Sequence, residues 1–380
     1  MAVIGGGQLA RMLQPAAVAL GVPLRVLVEG AEVADAQVVR DPVVGDHRDL
    51  ADLRSVAEGC SVVTFDHEHV PPEHLQTLSA EGHACLPGPH ALLFAQDKGA
   101  MRERLAELGV PAPRHALVAT AGDVDDFAAQ VGWPLVLKTP RGGYDGKGVF
   151  VIASPADAQA LLAEHGALLA EERVDFAREL SALVARSPSG QVAAYPVVES
   201  VQRDGICAEV TSPAPGLDPD LAVRAQRIAM QVAAELDVVG VLAVELFETR
   251  DGRVLVNELA MRPHNTGHWS IDGAVTSQFE NHLRAVLDLP LGSPQARAPW
   301  TVMVNILGGS HGALSEELYA GYRHVLARDP RLKVHLYGKA VKPGRKVGHV
   351  TAYGSDLEEV RERARHAAAW FRGDLGEESE

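Results

Sequence analysis

The stretch KTPRGGYDGKGVF, from Lys138 to Phe150, decides the fold of this chain. It sets four glycines between two apolar runs, WPLVLKTP and GVFVIA, and this pattern predicts a hairpin with a glycine-rich tip. Such a tip can close as a flap over phosphates, because backbone N–H groups without side chains approach a ligand closely. Lys138 and Lys147 would add point charges for phosphate oxygens. The G-K-[ST] ending of a Walker loop is missing, and a mobile turn with solvent-facing lysines stays the alternative.

Two later strand-like runs carry glutamates that such a flap could cover. VLAVELF and RVLVNELA are joined by a turn at Asp251-Gly252, and pairing about this turn brings Glu245 and Glu258 within two residues of facing each other. Carboxylates in apolar strands need a compensating cation or other partners. Mg²⁺ takes a few carboxylate oxygens together with substrate phosphates, and Asn257 adds a neutral oxygen beside them. The sequence therefore predicts a metal site, with edge glutamates bonded to arginine as the alternative.

Basic residues follow these strands in two places. Arg262, in MRPHNTGHWSIDGA, comes directly after the second glutamate and could clamp a transferring phosphoryl group. Residues 331–349 hold six lysines and arginines and no acidic residue, although the whole chain has a net charge of −15. With glycines among its cations, this segment predicts an anion-binding loop, and a solvated basic face is the alternative.

The N-terminal part alternates strand and helix patterns. AVIG and LRVLV flank the helical run GQLARMLQPAAVALG, and apolar runs at 36–39 and 61–65 continue the series. This alternation predicts a parallel sheet covered by helices. GGGQLA also fits the G-x-G-x-x-[GA] pattern, with Glu29 ending the second strand, so a nicotinamide site is one interpretation. The same glycines would serve any strand-to-helix turn that faces an anion.

FDHEHVP, residues 65–71, ends one of these predicted strands. His67 and His69 would share a face of the strand, but a third metal ligand is not apparent from the sequence. Glu68 would stand at the carboxyl end of a parallel strand, where α/β sheets bind ligands, so it is predicted to contact substrate.

The length and the proline pattern predict several domains. We place an N-terminal Rossmann-like domain at 1–90, a central domain at 91–295 with the flap subdomain at about 112–170, and a small C-terminal domain at 296–380. Prolines at 87, 89, 111 and 113 bracket one predicted helix over HALLFAQDKGAMRERLAELG.

The composition excludes several classes of protein. A net charge of −15 disfavours nucleic acid and acidic membrane surfaces, and no apolar run is long enough to span a membrane. The chain starts without a signal-peptide pattern, and its three cysteines are far apart and odd in number. These features predict a cytoplasmic protein without disulfides.

The motifs GGGQLARML, GGYDGKG, NELAMRPHNTGHW and PGRKVGH together resemble, in order and over nearly the whole chain, the 5-(carboxyamino)imidazole ribonucleotide synthetases of the ATP-grasp superfamily. The resemblance implies an α/β and α+β protein with an ATP-grasp fold, a Rossmann-like N-terminal domain and a small C-terminal domain. It also implies a homodimeric ligase that uses ATP and Mg²⁺, for which Mn²⁺ could substitute. The reaction would join bicarbonate, through carboxyphosphate, to the exocyclic amine of 5-aminoimidazole ribonucleotide in purine biosynthesis, releasing ADP and phosphate.

The resemblance also implies roles for individual residues. Metal ligands would be Glu245 and Glu258. Nucleotide contacts would be Lys138, Gly143, Tyr144, Asp145, Gly146, Lys147, Gly148, Glu171, Glu172, Val174, Glu179, Gln202, Asn257 and Glu258. Residues at the carboxyphosphate would be Arg262, His264, Asn265, Tyr144, Asp145 and Lys147. Ribonucleotide contacts would be Gly7, Gln8, Leu9, Glu68, Lys339, Arg345 and Lys346. The chain departs from the family at Leu93, in place of an arginine, and at Gln202, in place of a histidine.

Other functions stay open at this point. Formate-dependent glycinamide ribonucleotide transformylase and biotin carboxylase also make acyl phosphates, but HNTGHW and PGRKVGH favour the named synthetases. A non-catalytic nucleotide sensor and a nicotinamide oxidoreductase belong to other classes. Intact Lys138, Glu245 and Glu258 argue against the sensor.

Overall fold

The computed structural model describes residues 1–30, 33, 36–143, 146–308 and 315–375, the last range with side chains from residue 321. Tyr144 and Asp145 of the flap lie outside the described residues. The strands are β1 Ala2–Ile4, β2 Arg25–Val28, β3 Asp41–Val44, β4 Val63–Phe65, β5 His115–Val118, β6 Leu135–Lys138, β7 Val149–Ile152, β8 Leu168–Glu172, β9 Phe176–Arg186, β10 Val192–Ala194, β11 Val198–Arg203, β12 Ile206–Ser212, β13 Gly240–Thr249, β14 Val254–Ala260, β15 Trp300–Leu307, β16 Lys333–Leu336 and β17 Lys346–Gly354. The helices are α1 Gln8–Leu20, α2 Leu50–Ala57, α3 Pro72–Ala80, α4 Pro89–Gln96, α5 Lys98–Glu107, α6 Ala121–Val131, α7 Pro155–His165, α8 Pro219–Glu235, α9 Ser270–Gly273, α10 Gln278–Val286, α11 Ser315–Arg328 and α12 Leu357–Arg372, with a 3₁₀ turn at Asn265–Gly267.

The N-terminal strands form a parallel four-stranded sheet in the order β3-β2-β1-β4, as the alternating pattern predicts. β1 and β4 are buried along their whole length, and α1 and α2 pack against this sheet. The strand predicted at 36–39 is wrong, because β3 begins at Asp41. β3 contains Pro42, which an edge strand tolerates because its missing N–H is not needed on the open side.

The single helix predicted over residues 90–109 is two helices. Asp97 adopts an extended backbone conformation between α4 and α5, and its carboxylate accepts a hydrogen bond from Ala100 N. An aspartate in this position caps the start of a new helix. Lys98 therefore begins α5 at a corner of the chain.

The flap belongs to a separate four-stranded antiparallel sheet in the order β5-β8-β6-β7, which we call the lid sheet. β6 and β7 pair directly, so the hairpin predicted from the opening stretch is confirmed. α6 and α7 pack on one face of this sheet over a core that contains Leu135, Leu137 and Ala170. The opposite face carries Lys138 and Glu171.

The remaining strands form one nine-stranded sheet. Its order is β14-β13-β9-β11-β12-β15-β17-β16, and β10 pairs with β9. β12 and β15 are paired from Glu209↔Val304 to Ser212↔Thr301, so the C-terminal strands continue the sheet of the central part. The predicted boundary at 295/296 thus falls between strands of one sheet, and it stays a prediction. No helix in the described part of the chain is both long and apolar enough to cross a membrane.

Candidate active site

The base of the flap is tied to the corner between α4 and α5. Arg141 Nε donates to Asp97 Oδ2 at 2.9 Å, and Lys98 N donates to Pro140 O at 2.8 Å. The Lys98 ammonium lies 3.3 Å from Gly142 O and 3.8 Å from Glu258 Oε1. One lysine side chain therefore spans the gap between the flap and the glutamate strand.

Two flap glycines are required by close contacts. A Cβ on Gly143 would lie 2.4 Å from Lys147 O, and a Cβ on Gly148 would lie 2.4 Å from Thr139 Oγ1. Both have a positive φ, of 81° and 74° respectively, which side chains disfavour. The tip at Gly146 lies beside the β11–β12 turn at Gly205, so the described part of the flap rests against the large sheet.

Lys138 stands at the end of β6, where the lid sheet faces the large sheet. Its ammonium donates to Asn257 Oδ1 at 3.0 Å and pairs with Glu171 Oε2 at 2.9 Å. Glu171 also accepts from Arg102 Nε at 2.6 Å. Although burial opposes ionisation, Arg102 and Lys138 hold the pKa of Glu171 below its ordinary value. The hydrogen bond to Asn257 thus brings Lys138, the predicted phosphate-binding lysine, to β14, which carries the predicted metal ligand Glu258.

Glu245 and Glu258 are paired directly across β13 and β14, closer than the two-residue offset that the turn allows. Glu179, on the neighbouring strand β9, also lies close to Glu245. Burial, followed by the charges of Glu258 and Glu179, raises the pKa of Glu245 to about 8. Burial alone raises the pKa of Glu179 to about 7. Because a nearby positive charge would favour the ionised form of Glu245, the facing pair of Glu245 and Glu258 could accept an added cation.

His264 lies beside this cluster, with its Nε2 at 3.5 Å from Glu245 Oε1. Its Nδ1 accepts from Thr266 N at 3.4 Å, so Nε2 carries the hydrogen of the neutral ring and faces the carboxylate. Burial, followed by Arg262 and Lys346, lowers the pKa of His264 well below its ordinary value. The ring is therefore a neutral donor at neutral pH.

Arg262 is bound by Glu68, the residue that the sequence predicts to contact substrate. Its Nε donates to Glu68 Oε2 at 2.6 Å, and Met261 N donates to Glu68 Oε1 at 3.2 Å. Glu68 thus joins the N-terminal domain to the end of β14 and orients the guanidinium. His67 and His69 stack with ring centroids 5.4 Å apart, as their shared face predicts. Within the described ranges, no group of three or more His, Cys, Asp or Glu residues is arranged to hold a metal ion.

Asn265, which directly follows His264, is buried. Its side chain exchanges two hydrogen bonds with Asn305 of β15, at 3.1 and 2.7 Å, and Asn305 donates to Cys207 O. Both amides are therefore engaged with each other, and Asn265 fixes the 3₁₀ turn to the large sheet.

Cys60, Cys85 and Cys207 are free thiols.

The glycine turn after β1 is occupied by the protein itself. Asp66 accepts from Gly7 N at 3.0 Å and from Ala10 N at 2.7 Å, and a Cβ on Gly7 would lie 2.2 Å from its carboxylate. Two N–H groups that a pyrophosphate would use in the dinucleotide pattern, those of Gly7 and Ala10, are already bound to a carboxylate. This arrangement disfavours the nicotinamide interpretation of GGGQLA.

The basic C-terminal loop reaches the N-terminal domain. Lys339 Nζ donates to Gln8 Oε1 at 2.5 Å, and Gln37 Nε2 donates to Gly338 O at 3.1 Å. Leu9 is buried in the core of the N-terminal domain, so its side chain is not available to a ligand. Arg345 Nη1 donates to Ala340 O within the loop, and Lys346 begins β17 close enough to influence Glu245.

The remaining predicted nucleotide residues line or flank the space between the two sheets. Glu172 pairs with Arg114 at 2.8 Å, and Val174 is the second residue after β8. Gln202 donates to Ser200 Oγ at 2.7 Å. A small cavity on the large sheet is lined by Glu179, Ser200, Gln202, Glu245, Phe247 and Asn257.

Comparisons with known proteins agree with this geometry. Family models match residues 1–96 as a ribonucleotide synthetase preATP-grasp domain, 103–279 as an ATP-grasp domain and 301–363 as a phosphoribosylaminoimidazole carboxylase C-terminal domain. The N5-carboxyaminoimidazole ribonucleotide synthase of Mycobacterium tuberculosis is 58% identical over 98% of this chain and 87% of its own length.

The chain belongs to the N5-carboxyaminoimidazole ribonucleotide synthase family. It is therefore an ATP-grasp ligase, and the predictions of family, fold class, enzyme class and reaction are confirmed at the level of this family.

Solved structures of the family superpose on the whole chain. The synthetase of Thermus thermophilus is 38% identical, with a TM-score of 0.88 over 98% of this chain and 99% of that chain. The synthase of Aspergillus clavatus, solved with ADP and 5-aminoimidazole ribonucleotide, is 32% identical, with a TM-score of 0.88 over 97% of both chains.

Sequence reasoning missed three residues at the site, namely Lys98, Arg102 and Asp66. Lys98 and Arg102 lie in the segment that the sequence predicts as one continuous helix. Because that prediction lacks the bend at Asp97, it does not place these residues near the flap. The signal was Asp97, a typical helix-capping residue directly before Lys98. Although Leu93 replaces the expected arginine, Lys98 brings a cation to the flap and Glu258.

Proposed function

We propose that this chain carboxylates the exocyclic amine of 5-aminoimidazole ribonucleotide, using ATP to activate bicarbonate as carboxyphosphate. The observation that carries the proposal is the hydrogen bond from Lys138 to Asn257. Asn257 directly precedes Glu258, which is paired with Glu245 on the neighbouring strand. This hydrogen bond brings a cation for phosphates and a pair of oxygen ligands to one cleft between two sheets. Phosphoryl transfer needs little covalent help from a protein, so positioning and charge stabilisation at this cleft supply the catalysis.

Glu245 and Glu258 would hold Mg²⁺, or Mn²⁺ in its place. Directly opposed carboxylates with a raised pKa at Glu245 fit a hard divalent ion, which prefers oxygen ligands and keeps positions for phosphate and water. When bound, the ion would neutralise the charge that develops on the transferring phosphoryl group. Lys98 would add a further positive charge between this site and the flap.

The ATP phosphates would lie under the flap, against Lys138, Lys147 and the backbone of Gly143, Gly146 and Gly148. Tyr144 and Asp145 keep their predicted roles in the flap. Because the side chains of Glu171 and Glu172 are paired with cations, the segment up to Val174 would bind adenine through its main chain. Glu179 would take the ribose hydroxyls, with Gln202 at the wall of the same cavity.

The bicarbonate side would be bordered by Arg262, His264 and Asn265. Glu68 orients the Arg262 guanidinium, which would stabilise the oxygens of carboxyphosphate. The His264 Nε2–H, held toward Glu245, would donate to an oxygen at the reacting carbon or phosphorus. The attacking amine needs only to be held in line with this carbon, away from water.

The ribonucleotide phosphate would lie between the first turn of α1 and the basic loop. Gly7, Gln8 and the main chain of Leu9 would face Lys339, Arg345 and Lys346 across this gap. The hydrogen bond from Lys339 to Gln8 supports the placement, because it brings both sides within one side chain of each other. Glu68 would contact the substrate from the end of β4.

The test is a turnover assay with each cosubstrate omitted in turn. We expect phosphate release from MgATP that requires 5-aminoimidazole ribonucleotide, with carbon label from bicarbonate entering the nucleotide product. Release driven instead by formate and glycinamide ribonucleotide would move the assignment to the transformylase. ATP binding without turnover under any combination would favour the sensor.

We further propose the domain limits 1–90, 91–295 and 296–380, a homodimer and a cytoplasmic location. Proteins of this family act on small, soluble metabolites, and the net charge of −15 disfavours partners such as nucleic acid or acidic membranes. Light scattering of the purified chain would test the homodimer.

A further inference from the structure

We propose that Arg102 is a positioning residue that keeps Lys138 available to the ATP phosphates by taking up the charge of Glu171. The inference deepens the proposed function and rests on it for the identity of the nucleotide. Arg102 does not face the reacting atoms; it would act through Lys138 and through the strand that carries Glu258.

The guanidinium of Arg102 is completely buried and connects two parts of the site. Its Nε donates to Glu171 Oε1 at 2.6 Å, and its Nη2 donates to Asn257 O at 2.8 Å. The second oxygen of Glu171 pairs with Lys138, whose ammonium also reaches the Asn257 side chain. A single side chain of α5 thus holds the lid sheet and β14 in one arrangement.

The charges of this cluster determine what Lys138 can do. Arg102 and Lys138 carry two positive charges, and Glu171 carries one negative charge, so the buried cluster has one positive charge in excess. Without Arg102, Lys138 and Glu171 would form a closed neutral pair at 2.9 Å. Such a pair would lose much of its attraction for phosphates, because opposite charges at this distance in a buried site bind each other strongly.

The contact with Asn257 O adds a geometric role. Asn257 directly precedes Glu258, so the same guanidinium fixes the main chain next to a proposed metal ligand. Two acceptors on two different strands suit the planar fork of arginine, whose donors stand at fixed angles, and a lysine, whose donors share one nitrogen, would not reproduce this geometry.

A purely structural ion pair is the competing explanation. Nη1 of Arg102 is buried and meets no acceptor within the described residues, and an unpaired buried donor costs stability. The guanidinium is therefore not placed for local stability alone. A structural role and the proposed role also predict different outcomes when Glu171 is neutralised together with Arg102.

The experiment measures ADP and ATP binding by calorimetry in Arg102→Met, Glu171→Gln and the double variant. Arg102→Met should weaken nucleotide binding by about 10- to 100-fold, as expected for breaking a buried charge cluster. Adding Glu171→Gln should recover at least about tenfold of this loss, because Lys138 is then no longer neutralised. The KM for 5-aminoimidazole ribonucleotide should change by less than about threefold in each variant.

Arg104→Met is the matched control, since Arg104 lies on the same helix and pairs with Glu107 at the surface. It should leave nucleotide binding unchanged. A double variant that binds no better than Arg102→Met, with melting temperatures that show folded protein, would refute the positioning role. Should Arg102→Met fail to fold, Arg102→Gln and its double with Glu171→Gln replace it, and the same absence of rescue decides against the role.

The nucleotide measurement separates this inference from the proposed reaction. If the unmodified chain binds ATP but shows no turnover with 5-aminoimidazole ribonucleotide, the proposed function fails while the rescue can still be measured. If the chain carboxylates the ribonucleotide and the rescue is absent, only the role of Arg102 fails.

Discussion

Two sets of glutamates lie on opposite sides of the cleft, the buried Glu171 on one and the partly exposed Glu245 and Glu258 on the other, and they differ in their partners. On the lid side, Glu171 has an arginine on one oxygen and a lysine on the other. On the side of the large sheet, Glu245 lies against the neutral ring of His264 and opposite another carboxylate, Glu258. Burial opposes ionisation in both sets, but only Glu171 has its pKa held below the ordinary value.

The difference separates glutamates that fix the geometry of the cleft from glutamates that could bind a cation. A buried acid that is fully paired inside the protein fixes geometry, as Glu171 does for Lys138. A group of acids whose pKa values are raised to about 7 and 8 retains protons near neutrality, and a bound cation would replace those protons. The first set therefore fixes the geometry of the cleft, and the second set is the one that we propose to bind a cation.

The strongest test of this division removes one acid of the second set. Glu258→Gln should lower turnover by about 100- to 1,000-fold, because it removes a charged ligand from the transition state's metal site. Steady-state kinetics at saturating substrates would measure the loss. Glu164→Gln, on the exposed surface of α7, is the matched control and should be normal. Near-normal turnover of Glu258→Gln would contradict the metal role.

A second test compares stability rather than rate. The folded state raises the pKa of Glu179 to about 7, so its ionisation destabilises the protein as the pH rises from about 4.5 to 7. Glu179→Gln should therefore raise the free energy of unfolding by about 2 kcal/mol at pH 8, after allowance for partial exposure, and by little at pH 4.5. Urea denaturation at both pH values would measure this. An equal effect at the two pH values would contradict the assignment.

The third test follows metal affinity against pH. Because Glu245 and Glu179 are partly protonated near neutrality, a divalent ion must displace protons to bind. Affinity for Mn²⁺ in the presence of ADP should rise by about tenfold per pH unit between pH 6 and 8, and then level off. Electron paramagnetic resonance of free Mn²⁺ would follow it, with MnADP alone as the blank. In Glu245→Gln the dependence should become shallower, and a flat profile for the unmodified chain would overturn this expectation.

The smallest expected effect concerns Lys346, a basic residue near the glutamates of the large sheet. Burial raises the pKa of Glu245, and Lys346, at the start of β17, partly opposes this rise, but its proposed partner is the ribonucleotide phosphate. Lys346→Ala should raise the KM for 5-aminoimidazole ribonucleotide by about fivefold and leave the KM for ATP unchanged. Lys333→Ala, on an exposed position of the neighbouring strand β16, serves as control. A change confined to the KM for ATP would place Lys346 on the nucleotide side.

The sequence predicts much of this site, because its signals are local. The flap hairpin is visible as glycines between two apolar runs, and the opposed glutamates follow from a two-residue turn. The parallel N-terminal sheet follows from strands that alternate with helices. Each of these inferences needs only neighbouring residues and the regular geometry of strands and helices.

What the sequence does not predict depends on contacts between distant segments. The inward orientation of Glu171 is set by Arg102, 69 positions earlier, and no local pattern indicates this pair. Asp66 reaches the start of α1 from β4, 56 residues away from Ala10. The break at Asp97 carried a recognisable capping signal, but the surrounding helical pattern concealed it. The strand at 41–44 was misplaced because Pro42 reads as a strand breaker.

The shared sheet has a mechanical consequence for the catalytic cycle. Each strand from that of Glu258 to that beginning at Lys346 is hydrogen-bonded to the next in one sheet. The separation between the proposed nucleotide and ribonucleotide sites is therefore set by main chain, and sliding one relative to the other would break whole rows of hydrogen bonds. In the described part of the chain, the β5–β8 sheet shares no strand with the nine-stranded sheet, so its movement relative to the large sheet would have to change side-chain contacts such as those of Arg102 and Lys138 but no strand pairing.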